Sequence, residues 1–198
     1  PPILVSLMRD DPAGRSLIGG KQVPQRTRAF AAYGLGLVGH RTDSNALRQE
    51  IAGHLVDVLE QPRLAQPDLK VGALASLGII PLEWSASAAG ETSGDIAKDR
   101  ISVLDYLARR MATDTRGDAG FKDAQVRAHV PTAAARLLAS HEGDLPQEAH
   151  AVRGRIIDGL LVLAGDRSKE KNARIVQSAT IALGMIGNSA LGEGKIGD

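Results

Sequence analysis

The segment from Asn172 to Asn188 reads N-A-R-I-V-Q-S-A-T-I-A-L-G-M-I-G-N. Its Ile175, Ala179, Ala182, Leu183 and Ile186 recur at the spacing of one face of an α-helix, with small residues in the middle of the stripe. Small residues let backbones come close, but such a helix cannot bury its stripe alone. The pattern returns at Thr27 to Gly39 (T-R-A-F-A-A-Y-G-L-G-L-V-G) and at Leu69 to Ile80 (L-K-V-G-A-L-A-S-L-G-I-I). It returns more loosely at Val126 to Leu138 (V-R-A-H-V-P-T-A-A-A-R-L-L). Recurrence of a helix that needs a neighbour marks a stacked array.

Composition points the same way. Of the 198 residues 43% are hydrophobic but only 3% aromatic, so the core must be built from Ala, Leu, Val and Ile. That suits closely packed helices better than a β-sandwich, and the expected class is all-α. A chain of this length buries about 70% of its unfolded surface, so core size is no obstacle. With 24 Lys plus Arg against 23 Asp plus Glu, the net charge of +1 gives no bulk attraction to phosphate backbones or acidic membranes. Any nucleic-acid site has to be a local patch. The absence of cysteine excludes disulfides and thiolate chemistry and leaves the compartment open. The longest apolar run, Gly72 to Leu82, is interrupted by Ser76, Gly78 and Pro81, so no membrane span is expected. The chain opens at Pro1-Pro2 with neither Met nor a targeting signal, which reads as a piece of something longer. The cytoplasm is the default compartment.

In chain order, Pro2 to Arg9 reads as the end of a helix stopped by Asp10-Asp11-Pro12-Ala13-Gly14. Pro24 opens the first copy of the recurring helix, 24–39. Asp43 or Ser44 caps a helix from Asn45 to Glu60, with Ile51, Leu55, Val58 and Leu59 inward. The second copy, 68–80, stops at Pro81 and is followed by a Ser/Gly-rich loop, 83–95, that carries the only tryptophan. Ile96 to Ala112 returns to helix with Ile101, Leu104, Tyr106, Leu107 and Met111 inward, then comes a loop at 113–120. The third copy, 123–139, has Pro131 where a kink is expected. Gln147 to Ala164 carries Val152, Ile156, Ile157, Leu160, Leu161 and Leu163 as its stripe, and the last copy spans 172–187 before a glycine-rich tail. Eight helices in four pairs therefore account for most of 1–198, read as one domain.

Aligning the copies on Gly36, Gly78, Ala135 and Gly184 gives steps of 42, 57 and 49 residues, the longer middle step holding both loops. Helical pairs at about 40 to 47 residues are the spacing of HEAT and armadillo arrays. The chain resembles HEAT repeats, and more narrowly the short bacterial HEAT-like class found in bilin-attaching lyases. Ile181-Ala182-Leu183-Gly184-Met185-Ile186-Gly187 matches the end of that class's second helix, and Asp123-Ala124-Gln125-Val126-Arg127 matches its start. The other copies depart from it: Thr27-Arg28, Leu69-Lys70 and Ile175-Val176 replace Val-Arg, and Ala134-Ala135 replaces Leu-Gly. The resemblance implies a right-handed α-solenoid with a structural role for Arg28, Lys70 and Arg127. It also implies an Asp-Arg ladder, with Asp123 pairing to Arg127 or reaching the neighbouring repeat.

In such an array a functional surface is expected along the second helices. Ten, six and three residues before each aligned position lie Arg26, Phe30 and Tyr33; Asp68, Gly72 and Ala75; Gln125, His129 and Thr132; and Arg174, Ser178 and Ile181. Phe30 and Tyr33 with Arg26 beside them are the residue types of an interface anchor, unless they pack on a preceding repeat. Arg26, Phe30, Tyr33, His129 and Arg174 are thus the candidate partner-binding residues. Among weaker constellations, the histidines at 40, 54, 129, 141 and 150 include no H-E-x-x-H, and His141-Glu142-Gly143-Asp144 reads as a solvated turn. Arg116-Gly117-Asp118 is a three-letter string of the adhesive kind. Gly192-Glu193-Gly194-Lys195 lacks the earlier glycine and the Ser or Thr of a phosphate loop. No nucleophile, carboxylate pair, metal or cofactor motif presents itself. The expected function is a non-catalytic scaffold binding another protein through its concave face. A nucleic-acid module of the DNA glycosylase type, or a HEAT-like enzyme of the lyase or chaperone type, is the alternative that the resemblance admits.

Overall fold

The computed structural model describes residues 1–61, 66–84, 99–111, 121–139, 145–165, 168 and 170–193, with side chains left aside from 188 onward. Among these residues every regular element is a helix. They are α1 (Pro2–Arg9), α2 (Pro12–Ser16), α3 (Gln25–Arg41), α4 (Asn45–Glu60) and α5 (Pro67–Leu77), followed by α6 (Arg100–Met111), α7 (Ala124–Ala139), α8 (Gln147–Gly165) and α9 (Ala173–Glu193). The loops read at 83–95 and 113–120 fall mostly outside the described residues. So do Arg116-Gly117-Asp118, His141-Glu142-Gly143-Asp144 and the end of the tail.

Each helix has a local cause. Ser44 Oγ accepts the Leu47 N–H and caps α4, whose Ile51, Leu55, Val58 and Leu59 are all buried. Pro67 occupies the first turn of α5, where its missing N–H costs nothing. That helix ends at Leu77, earlier than the 68–80 reading, because Pro81 disfavours helical backbone in the residue before it and Gly78 already closes the turn. The helix α7 runs through Pro131. The reading missed α2, a short helix capped by Asp11, which accepts the Gly14 N–H at 2.8 Å. The helix α9 continues five residues past Asn188, to Glu193.

Helices pair as α1 with α3, α4 with α5, α6 with α7 and α8 with α9, and the pairs lie side by side in two rows. The inner row is α3, α5, α7, α9. Its spacing is set by missing side chains. A Cβ on Gly36 would stand 2.6 Å from Ser76 Cβ and 2.8 Å from its Cα, and one on Gly78 would stand 3.1 Å from Ala133 Cα. Ser76, fully buried, donates its Oγ–H in that contact, with the carbonyls of Ala32 (2.9 Å) and Gly72 (2.7 Å) both within hydrogen-bond distance. Gly72 lies against the Ala29 carbonyl and Gly39 against Ile80, so α3 and α5 run parallel and in register.

The outer row, α1, α4, α6 and α8, is stitched by side chains. Arg9 reaches Asp57 at 2.8 Å, Arg110 reaches Glu60 at 2.6 Å and Arg155 reaches Asp105 at 2.7 Å, one link at each junction. The Tyr106 hydroxyl adds a 2.6 Å bond to Glu60. Between the rows run the buried stripes, including Ile175, Ala179, Ala182 and Ile186 of α9. Leu161 of α8, expected inward, is instead exposed. No described helix is long and apolar enough to cross a membrane.

Gly184 departs from the expectation that it permits close approach, because a Cβ there would meet nothing within 4 Å. No further inner helix lies beyond α9 among the described residues. The two glycines therefore separate packing from propensity. Gly36→Ala is expected to destabilise the fold by about 1–3 kcal/mol through overpacking against Ser76. Gly184→Ala should stabilise it by up to about 1 kcal/mol through helix propensity. Urea unfolding of both variants checks the opposite signs.

Candidate functional site

The recurring helices sort their cations by position. Arg28, Lys70 and Arg127 occupy equivalent places, eight residues before the aligned position, and none of them lies open on the surface. Arg28 is 3% exposed and its Nε–H donates to the Met8 carbonyl at 2.9 Å. Lys70 is also buried, with Nζ 5.8 Å from the centre of the Phe121 ring. Burial pushes the ionisation of both below the ordinary values, and for Lys70 Glu60 opposes that shift. Arg127 pairs with Glu170 at 2.6 Å, in surroundings that leave the carboxylate side chain 4% exposed. The along-helix pairing of Asp123 with Arg127 does not form in this geometry. Asp123 instead accepts the Gln125 N–H at 2.7 Å, and the arginine takes its carboxylate from the stretch just before α9.

A second buried polar junction closes the first pair. Asp10 adopts left-handed backbone (φ 56°) after α1 and receives Arg15 through two bonds of 2.9 Å, together with the Val23 N–H at 2.8 Å. The Arg15 bond holds its carboxyl down at about 2. Trp84 lies half-buried beneath Arg100, whose guanidinium sits 4.8 Å from the ring centre and donates to the Leu82 carbonyl. These groups fasten the chain and leave little for chemistry.

The other side of the inner row is where polar groups stand open. Arg26, Asp68, Gln125 and Arg174, ten residues before the aligned positions, are all exposed. On α3, Phe30 is 68% exposed, Tyr33 44% and Leu37 43%. Their spacing places them on one face of the helix, an uncovered apolar stripe. Leu37 was missed in the sequence because it follows the aligned glycine and was not compared between copies. Phe30 stands at the position where Gly72 of α5 meets the Ala29 carbonyl of α3.

Between α7 and α9 lies an open groove of about 500 Å³ walled by Gln125, Ala128, His129 and Thr132 on one side and Arg174, Gln177, Ser178 and Ile181 on the other. The structure thus brings His129 and Arg174 together and leaves Arg26, Phe30 and Tyr33 on a separate helix. Ser178, expected outward, forms the groove floor: it is 8% exposed and its Oγ has no hydrogen-bond partner. The equivalence of Ser178 with Gly72, both turned toward the preceding helix, is the sequence signal for its burial. His129 is half-buried, and burial, with Arg136 second, pushes its ionisation below the ordinary value. Among the described residues no cluster of three His, Cys, Asp or Glu side chains is placed to hold a metal. No family model, curated protein or solved structure matches this chain.

The His129 shift has a signed consequence. In the unfolded chain a histidine takes up its proton near pH 6.5, before the folded one does, so stability is complete above that pH. It falls as pH drops through about 6.5 and levels off below the folded value. The stability difference between His129→Gln and the parent chain should therefore shift in favour of the variant between pH 7.5 and pH 5. His54, lowered by burial, adds a slope of the same sign in both proteins. Urea unfolding at the two pH values measures the difference, and a pH-independent difference would remove the burial assignment.

Proposed function

We propose that the chain is a right-handed solenoid of four HEAT-like helical pairs that binds another protein through the face formed by α3, α5, α7 and α9. The observation that carries this reading is the uncovered stripe Phe30, Tyr33 and Leu37, with Arg26 exposed on the same helix. Large apolar side chains left bare in one row favour association, and aromatic and arginine anchors dominate protein interfaces. The parallel register of the inner helices supports the solenoid, since it lines up the exposed first-turn positions Arg26, Asp68, Gln125 and Arg174 along one side. The net charge of +1 argues against nucleic acid as the principal partner.

Arg26→Ala with Tyr33→Ala is expected to weaken capture of a protein partner from the native lysate at least about tenfold, as loss of an anchor does, without lowering Tm. Leu161→Ala, which trims an exposed apolar residue on the outer row, should leave capture intact. Retention of nucleic acid alone, with a steep dependence on salt, would overturn the reading.

A further inference from the structure

The groove between α7 and α9 carries formal charge of one sign among its described residues. Its charged wall is Arg174, whose guanidinium has no ion-pair partner among the described residues and carries five N–H donors and no acceptor. Gln125 and Gln177 add amide groups that can donate as well as accept. Among the described residues no carboxylate lines the groove. At its floor the Ser178 hydroxyl is more than nine-tenths buried and unpaired, a state that native structures seldom leave without a ligand or water. Ile181, half-exposed, and Ala128 give the groove an apolar edge.

Such a site is complementary to an anionic acceptor of small size. We propose that this groove receives the carboxylate side chain of an acidic peptide segment, its oxygens taken by Arg174 and the Ser178 hydroxyl. The inference rests on the reading that the inner-helix face binds protein, and it names the chemistry of one part of that partner. A carboxylate fits a single guanidinium in fork geometry, and a short aliphatic stem lies along Ile181. A nucleic-acid backbone asks instead for a track of cations, and among the described residues this groove holds one.

The test uses the isotopically labelled full chain and three probes of similar length: a capped peptide of alternating Glu and Ala, its Gln-for-Glu analogue and an oligothymidylate. NMR titration is expected to move the resonances of Ser178, Gln177 and His129 with the Glu peptide and leave them still with the Gln peptide. Arg174→Gln should weaken the Glu peptide about fivefold or more. Ser178→Ala should weaken it as well, while Tm stays level or rises because an unpaired buried hydroxyl is removed. Equal response to the Glu and Gln peptides, shifts confined to other surfaces, no response at millimolar peptide, or tighter binding of the oligothymidylate would each overturn the proposal. If the groove is silent while Arg26→Ala with Tyr33→Ala still abolishes partner capture, the carboxylate assignment falls and the protein-binding face stands. If the groove binds as expected while those variants capture normally, the assignment of the groove stands and the wider face does not.

Discussion

The fold depends on how closely one inner helix approaches the next. At Gly36 the backbone of α3 lies so near Ser76 that a single methyl group has no room, and at Gly78 the Ala133 backbone is almost as near. Helices held at that distance leave no space between them for aromatic side chains. This is why a chain with 3% aromatic residues still builds a dense interior from alanine and branched aliphatics. The outer row faces the opposite problem. Its helices are joined by reaching side chains, Arg9 to Asp57, Arg110 to Glu60 and Arg155 to Asp105, and these exposed or half-exposed links contribute modestly one by one. The inner row thus sets the geometry and the outer row follows it.

The same helix serves structure and surface by rotation. Arg26 and Arg28 are two residues apart, which turns them to opposite sides of α3. One is exposed, and the other is buried against the Met8 carbonyl. Gln125 and Arg127 repeat that division on α7, where the arginine is committed to Glu170. In α9 the buried place is taken by Val176, and the exposed Arg174 is the cation that remains. Arg127 cannot be recruited by a partner without undoing its buried pair with Glu170, a change on the order of 3–5 kcal/mol.

How much of this was legible in the sequence follows from which contacts are local. The helix α4 was readable because its cap, Ser44, and its stripe lie within one segment. The stripe of α9 was readable for the same reason. Arg127 finding Glu170 was not, because the partner is set by how α7 and α9 stand to each other. The extra helix α2 has its signal in Asp11 followed by Pro12, a cap and a first-turn proline, which in sequence also reads as a helix stop. Gly184 resembles Gly36 in sequence, but close approach is a property of two helices, and a Cβ on Gly184 would meet nothing within 4 Å. Of the candidate site, Tyr33, Phe30 and Arg174 were placed outward correctly. The groove itself was not foreseen, since Ser178 becomes a floor only when α7 stands beside it.

The parallel register of the inner helices also gives the molecule an electrical direction. Every peptide unit in a helix carries a dipole along the axis, and the ends behave as about half a positive charge at the N-terminus and half a negative charge at the C-terminus. Because α3, α5, α7 and α9 point the same way, their N-terminal ends gather on one edge and their C-terminal ends on the other. Arg26, Gln125 and Arg174 project from the first turns at the positive edge, with Asp68 at the same place on α5. A chain with almost no net charge thereby presents a polarised surface, and the orientation of whatever lies across it is biased before any side chain makes contact.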